Sequence, residues 1–128
     1  MDISTQIPTH ILNHLINDED YCRRVIPYLK KDYFADEHKA VFNLIVNFVS
    51  EHNSIPSSKV LDIELTKQSV SDDIRQRSSI LINEIKEKSD IDTEYLVKES
   101  ETWCKDRAIH IAIMDSIGII NGEDAEQA

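Results

Sequence analysis

The feature that most constrains this chain is its shortage of residues that interrupt helices. Glycine occurs only at Gly118 and Gly122, and proline only at Pro8, Pro27 and Pro56, in a chain of 128 residues. Apolar residues recur at spacings of three and four, as on one face of a helix, and rarely alternate as they do in a strand. The sequence therefore predicts an all-α fold with no sheet.

Capping residues divide the first part of the chain into five short helices. A Ser, Thr, Asp or Asn side chain at a helix start can accept a hydrogen bond from an unpaired backbone N–H, and proline is tolerated in the first turn. Pro27 is expected to end or bend the second helix. The predicted helix starts lie at Pro8, Asp18, Asp36, Ser57 or Ser58, and Ser71.

The apolar faces of these helices predict a shared core. The clearest periodicity lies between Val41 and Val49, where apolar residues recur with a helical period of about 3.6 residues. A chain of this length can bury a core of its own. The predicted core residues are Leu12, Leu15, Phe42, Ile45, Phe48 and Leu81.

The predicted organisation is a helical head of residues 1–88, one long helix of residues 93–121 and an acidic tail of residues 122–128. On a helical wheel the long helix carries two apolar stripes. The first stripe runs the whole length through Leu96, Trp103 and Met114. It can pack on the head near its start and continue beyond the head. The second stripe begins only halfway along, and its members are Ile109, Ala112, Ile113, Ile117 and Ile120.

The second stripe constrains function, because one head can bury only one side of a helix. A helix that is apolar on all sides needs cover on all sides, and exposed apolar patches mark interfaces. We therefore predict that this stripe is a self-association surface, covered by another chain or by a segment beyond this sequence. The alternative is that the helix turns back onto its own head.

Charge argues against strong binding to duplex DNA, since the net charge is −10 and DNA-binding proteins usually present a basic face. The one basic cluster, Arg23, Arg24, Lys30 and Lys31, is interpreted as a solvated rim. Two distant cysteines indicate reduced thiols in a cytoplasmic protein. The sequence has no apolar run long enough to span a membrane, and its beginning does not resemble a signal peptide.

No catalytic or cofactor motif is found. A phosphate-binding loop of the form GxxxxGK[ST] is excluded, because neither glycine is followed by lysine. His10 and His14 lie one helical turn apart, but no third metal ligand accompanies them. They are interpreted as two partly exposed helix histidines, against the alternative of a small metal-dependent enzyme. We predict no catalytic residue, no metal and no cofactor in this segment.

Two stretches carry a family resemblance: "ILNHLINDEDYCRRVIPYLKKDYFADEHKAVFNLIVNFVSEHNSIPS" and, later, "EYLVKESETWCKDRAIHIAI". They resemble the N-terminal domain of DnaB-type replicative DNA helicases, closest to those of T-even-like phages. The chain departs from many bacterial members at Asn13 and His14, where those have a Gly-rich turn. The features that carry the resemblance are the apolar helix Ile11–Ile16, the pairs Tyr33-Phe34 and Val41-Phe42 around His38, Ile55-Pro56, and Asp106-Arg107-Ala108.

The resemblance implies a non-catalytic domain for oligomerisation and primase docking in DNA replication. In this family the long helix is the first arm of a helical hairpin, and hairpins pair between subunits in a hexameric collar. Unwinding in the 5′-3′ direction, with ATP and Mg²⁺, belongs to a separate C-terminal domain. The expected partners are other copies of the chain, a primase and a helicase loader, in the host cytoplasm. The alternative is a free-standing helical adaptor or regulator that self-associates through the same helix.

Overall fold

The structure, a computed structural model, describes residues 6–118, and those residues form helices and no strands. The predicted all-α fold is confirmed. Two single 3-10 turns, Ile26–Tyr28 and Lys31–Tyr33, lie between the second and third helices. None of the helices described is long and apolar enough to cross a membrane. The helices are α1 (Ile7–Asn17), α2 (Glu19–Val25), α3 (Asp36–His52), α4 (Ser58–Thr66), α5 (Asp72–Glu84) and α6 (Thr93–Gly118).

Most helix starts lie where the capping residues predict them. Asp18, Ser57 and Ser71 each accept a hydrogen bond from the backbone N–H three residues further along, at 3.1, 3.2 and 3.2 Å. Such bonds satisfy N–H groups that have no partner within the helix. A proline occupies the first turn of α1, and Pro27 lies in the 3-10 turn that follows the end of α2.

Asp36 does not cap α3, contrary to the prediction. The N-cap position is occupied by Ala35, whose backbone is extended, and no side chain caps this helix. Asp36 itself has a left-handed backbone with φ of 51°, a conformation that aspartate tolerates better than most residues. Because Asp36 already lies inside the first turn, its carboxylate can favour the helix only through its charge near the positive end of the helix dipole.

The core of the head surrounds α1. Ile11, Leu12 and Leu15 on this helix are all fully buried, and α1 contacts α2, α3 and α6. α5 packs against both α3 and α4. Of the residues predicted for the core, Leu12, Leu15, Phe42, Ile45 and Leu81 are buried.

The prediction that Phe48 belongs to this core is wrong. Phe48 is only half-buried, and its ring lies 4.3 Å from the ring of His52, measured between centroids. The fully buried residues of α3 include Phe42, Leu44 and Ile45. The helical period continues past them, but Phe48 lines an open hollow between α3 and the end of α4 and is not packed in the core.

Polar side chains of α1 fix the connection between α5 and α6. Asn13 Nδ2 donates to the carbonyl of Glu87 at 2.7 Å, and the N–H of Ser89 donates to Asn13 Oδ1 at 3.0 Å. Asn17 Nδ2 donates to the carbonyl of Ile85 at 2.8 Å. These bonds satisfy backbone groups of a loop that has no helical partners of its own, and so they set the position from which α6 begins.

His14 contributes to the same connection, and its predicted partial exposure is wrong. The side chain is fully buried, its Nε2 donates to the carbonyl of Ile91 at 3.1 Å, and its ring packs edge-on against Tyr21, with the centroids 5.3 Å apart. Its Nδ1 is buried without a hydrogen-bond partner. His10 is half-buried. Burial lowers the pKa of His14, because the charged imidazolium loses hydration.

Candidate interaction surface

The first half of α6 belongs to the core of the protein. Leu96, Val97, Ser100 and Cys104 are buried on the side that faces α1 and α2. The hydroxyls of Ser100 and Tyr21 share a hydrogen bond of 2.7 Å within this contact. A polar pair inside the core needs such a bond, since an unpaired hydroxyl would be costly to bury.

Two polar contacts fasten the start of α6 to the start and end of α2. Thr93 Oγ1 donates to Asp18 Oδ2 at 2.6 Å, so the residue that caps α2 also holds α6. Arg24 donates to both carboxylate oxygens of Glu94, at 2.6 and 2.9 Å. This paired hydrogen bond lowers the pKa of Glu94 and raises that of Arg24.

An aromatic contact joins the middle of α6 to the chain between α2 and α3. The indole of Trp103 lies 5.0 Å from the ring of Phe34 and 6.1 Å from that of Tyr33, measured between centroids. One turn later, Arg107 Nε donates to the carbonyl of Tyr33 at 3.1 Å. Residues from Thr93 to Arg107 therefore carry the contacts that bind α6 to the head.

The remaining residues of α6, 108–118, are here called the exposed segment. Ile109, Ile113 and Ile117 are 59, 52 and 42% exposed, and Ala112 is exposed as well. Ile120, the last residue predicted for this stripe, lies outside the described residues. The described side chains of the stripe are exposed and do not turn back onto the head. That they form a self-association surface stays a prediction.

The first stripe also loses its cover in this segment. Ile111 is half-buried and Met114 is 52% exposed, as expected of a stripe that continues beyond the head. The exposed segment is therefore apolar on two sides and covered fully on neither. The wheel assigns residues to faces correctly but carries no information about where the head ends.

A groove of about 400 Å³ continues this surface onto the head. Tyr28 forms part of its wall and is 62% exposed. Cys104 and Ala108 from α6 line its floor beside Tyr33. The candidate surface thus includes both the exposed segment and the adjacent 3-10 turns.

The chemistry of the described residues does not indicate a catalytic centre. No group of three or more His, Cys, Asp or Glu side chains within residues 6–118 could hold a metal ion. Both cysteines are free and buried, and burial raises the pKa of the Cys22 and Cys104 thiols to about 11. A thiol with so high a pKa is a poor nucleophile at neutral pH.

The predicted basic cluster is largely neutralised by neighbouring carboxylates. Arg23 Nη2 lies 2.6 Å from Glu19 Oε1, and Arg24 is committed to Glu94. Lys30 and Lys31 are exposed. Because the two arginines already have anionic partners, this cluster presents little free positive charge to a phosphate backbone.

Comparison with known proteins bears directly on the predicted resemblance. No family model matches the sequence. The DnaB-like replicative helicase of Enterobacteria phage T4 is 34% identical to it over 110 residues, which are 85% of this chain. The chain is a relative of that DnaB-like helicase. It spans only 23% of the helicase's length, and the match covers 85% of residues 1–128.

Proposed function

We propose that this chain is the N-terminal, non-catalytic domain of a DnaB-type replicative helicase, and that it joins helicase subunits through the exposed segment of α6. In this role the head docks a primase and a helicase loader during DNA replication in the host cytoplasm. ATP and Mg²⁺ act in a separate motor domain, and this segment binds duplex DNA weakly. The similarity to the phage helicase over 85% of the chain supports the assignment.

The observation that carries the self-association proposal is the exposure of Ile109, Ile113 and Ile117 on a well-formed helix. Fully burying one isoleucine contributes about 1.5 to 3 kcal/mol, so three residues half-exposed in one stripe leave a considerable driving force unused. The three residues follow one another at four-residue spacing along the same helix, so they lie on one face of it. A second helix laid along it would bury all three side chains at once.

The test replaces two stripe residues by lysine, Ile113→Lys with Ile117→Lys. Lysine keeps helix propensity and is favourable near a helix C-terminus, and it makes the acidic chain less negative. Loss of association therefore cannot be attributed to greater charge repulsion. We expect a lower mass in solution by light scattering, with unchanged far-UV circular dichroism, because a lysine buried in an apolar interface has no partner.

The matched control is Ile63→Lys with Ile80→Lys, two residues of the head that are 57 and 54% exposed. It introduces the same side chains at the same exposure, so the mass should remain that of the wild type. If the stripe variant keeps the wild-type mass, self-association through this stripe is refuted. If the wild type is already monomeric, the proposal fails for this segment by itself. A free-standing adaptor would give the same masses, so these measurements do not separate the two functions. Absence of the phosphate-binding motif GxxxxGK[ST] downstream in the same reading frame would favour the adaptor.

A further inference from the structure

The connection between α5 and α6, residues 85–92, is held to the head by side chains of α1. Its backbone lies outside both helices, so its polar groups need partners elsewhere. Asn13 and His14 supply several of those partners, and they are two of the four buried polar residues in the part of the chain that the structure describes. The core of the head is thus polar where it meets this connection.

His14 is the member of this set whose charge can change near neutral pH. Its Nε2 donates to the carbonyl of Ile91 at 3.1 Å, so the neutral ring carries its proton on Nε2. Nδ1 then has only a lone pair, and it is buried without a hydrogen-bond partner. A second proton, on Nδ1, would create a buried donor and a buried charge together, and both are costly unless they are paired.

The carboxylate that favours this proton, Asp18, already holds the start of α6. Its Oδ2 accepts from Thr93 Oγ1 at 2.6 Å and lies 3.3 Å from Lys88 Nζ. Its Oδ1 accepts from the N–H of Tyr21 at 3.1 Å. To bond a proton on His14 Nδ1, the carboxylate would have to move, and moving would break contacts that fix the connection and α6.

The other groups around His14 offer a proton little support. Lys88 repels it, and the carbonyl of His10, one turn back on α1, favours it least. Tyr21 of α2 presents its ring edge-on, and its hydroxyl is shared with Ser100 of α6. Within residues 6–118, α3 and α6 add no charged side chain that acts on this imidazole. A protonated ring therefore gains most by reaching water.

We propose that residues 85–93 are a pH-sensitive latch, which detaches locally from α1 when His14 takes up a proton, while the rest of the head stays folded. Most side chains of the latch are exposed, and Ile85 is its one fully buried residue. Opening it therefore costs less than unfolding the head. The buried Leu96 keeps the following turn of α6 in place. The latch holds for the chain by itself, whether or not copies associate.

The direction of the pH effect follows from the two states of the latch. In the open form the imidazole is hydrated and has its ordinary pKa of about 6.5, whereas burial in the closed form lowers the pKa of His14. The latch is therefore most firmly closed above about pH 6.5. Below that value the ratio of open to closed molecules should rise by up to about tenfold per pH unit, until the pKa of the closed form is reached.

The test is amide hydrogen exchange, measured by NMR on the nitrogen-15-labelled chain from about pH 7.5 to 5 and corrected for the intrinsic pH dependence of exchange. The N–H of Ser89, which donates to Asn13 Oδ1 at 3.0 Å, reports the latch, and the N–H of Ile45 reports the head. We expect Ser89 to be less protected than Ile45 at every pH. Its protection should fall by up to about tenfold per pH unit below 6.5 and level off where the His14 ring signals titrate.

The variant His14→Gln can still donate to the carbonyl of Ile91 but takes up no proton, so the fall in protection at Ser89 should be lost. The matched control, His10→Gln, removes a half-buried histidine one turn away and should keep the fall. Equal protection of Ser89 and Ile45 would mean that the latch opens only with the whole head, and it would overturn the proposal. Protection of Ser89 that is independent of pH in the wild type would also overturn it, as would a fall that persists in His14→Gln.

Discussion

The two halves of α6 differ in how their apolar residues are covered. From Thr93 to Arg107 the helix is apolar mainly on one side, and that side lies against α1 and α2. From Ala108 to Gly118 it is apolar on two sides, yet its isoleucines at 109, 113 and 117 are 42 to 59% exposed. The half that is richer in apolar residues is therefore the less buried half.

This difference shows that the extent of the head, and not hydrophobicity, decides which part of α6 is buried. The helix has 26 residues, about 39 Å at the usual rise, which is longer than the contact that α1 and α2 can offer. Where that contact ends, apolar residues stay exposed unless another surface meets them. This exposed apolar stripe is the basis of the proposed self-association, since exposed apolar patches often mark interfaces.

The largest expected effect comes from comparing one alanine substitution in each half of α6. Leu96→Ala removes a fully buried side chain and should lower the free energy of unfolding by about 2 to 5 kcal/mol. Ile109→Ala, at a residue 59% exposed, should change it by no more than about 0.5 kcal/mol. Urea unfolding at a protein concentration where the chain is monomeric measures both values.

The effect of protein concentration on stability should also differ between these two variants. At higher concentration Ile109→Ala should become destabilising, because a self-associated state is stabilised by mass action and the variant weakens it. The cost of Leu96→Ala within the head should stay the same. If Ile109→Ala is as costly as Leu96→Ala in the monomer, the exposed segment packs on its own head and the contrast between the halves is lost.

Structural features that depend only on residues close in sequence can be predicted from the sequence. The caps at Asp18, Ser57 and Ser71 depend only on a side chain and an N–H three residues away, and the helical type of α6 depends only on its own composition. The prediction for Phe48 fails because a period assigns a residue only to a face of its helix. Whether the residue is buried depends on how closely a neighbouring helix packs there.

His14 shows a second limit of sequence reasoning. Its spacing from His10 resembles a pair of metal ligands, and nothing local indicates that its partner is the carbonyl of Ile91, 77 residues away.

The next largest effect concerns pH and the buried half of the molecule. The pKa of His14 is lowered by burial, so the folded protein keeps this imidazole neutral where the unfolded chain, with a pKa of about 6.5, takes up a proton. Its neutral form therefore favours folding above that pH, and stability should fall as pH drops from about 7 to 5. Lys88 also disfavours the proton on His14, whereas Asp18 favours it.

Substitution of the histidine tests that assignment. His14→Gln should be less stable than the wild type at pH 7 and should show a smaller loss of stability on acidification, by urea unfolding at several pH values. Some dependence will remain, because burial lowers the pKa of His38 as well. His110→Gln removes an exposed imidazole from the other half of α6 and should keep the wild-type pH dependence. Equal slopes for wild type and His14→Gln would refute the assignment.

The smallest expected effect concerns the ion pair at the start of α6. Arg24 and Glu94 are joined by two hydrogen bonds, but both side chains are exposed, so salt should screen their attraction. We expect Glu94→Gln to lower the melting temperature slightly at low ionic strength and not at high ionic strength.

Glu94 also lies in the first turn of α6, where a negative charge is favourable by itself. A double-mutant cycle with Arg24→Gln separates the two contributions. A coupling that persists at high salt would mean that the pair fixes the direction of α6 by geometry. Absence of coupling at low salt would mean that the buried contacts of Leu96 and Ser100 hold this half of the helix without help from the pair.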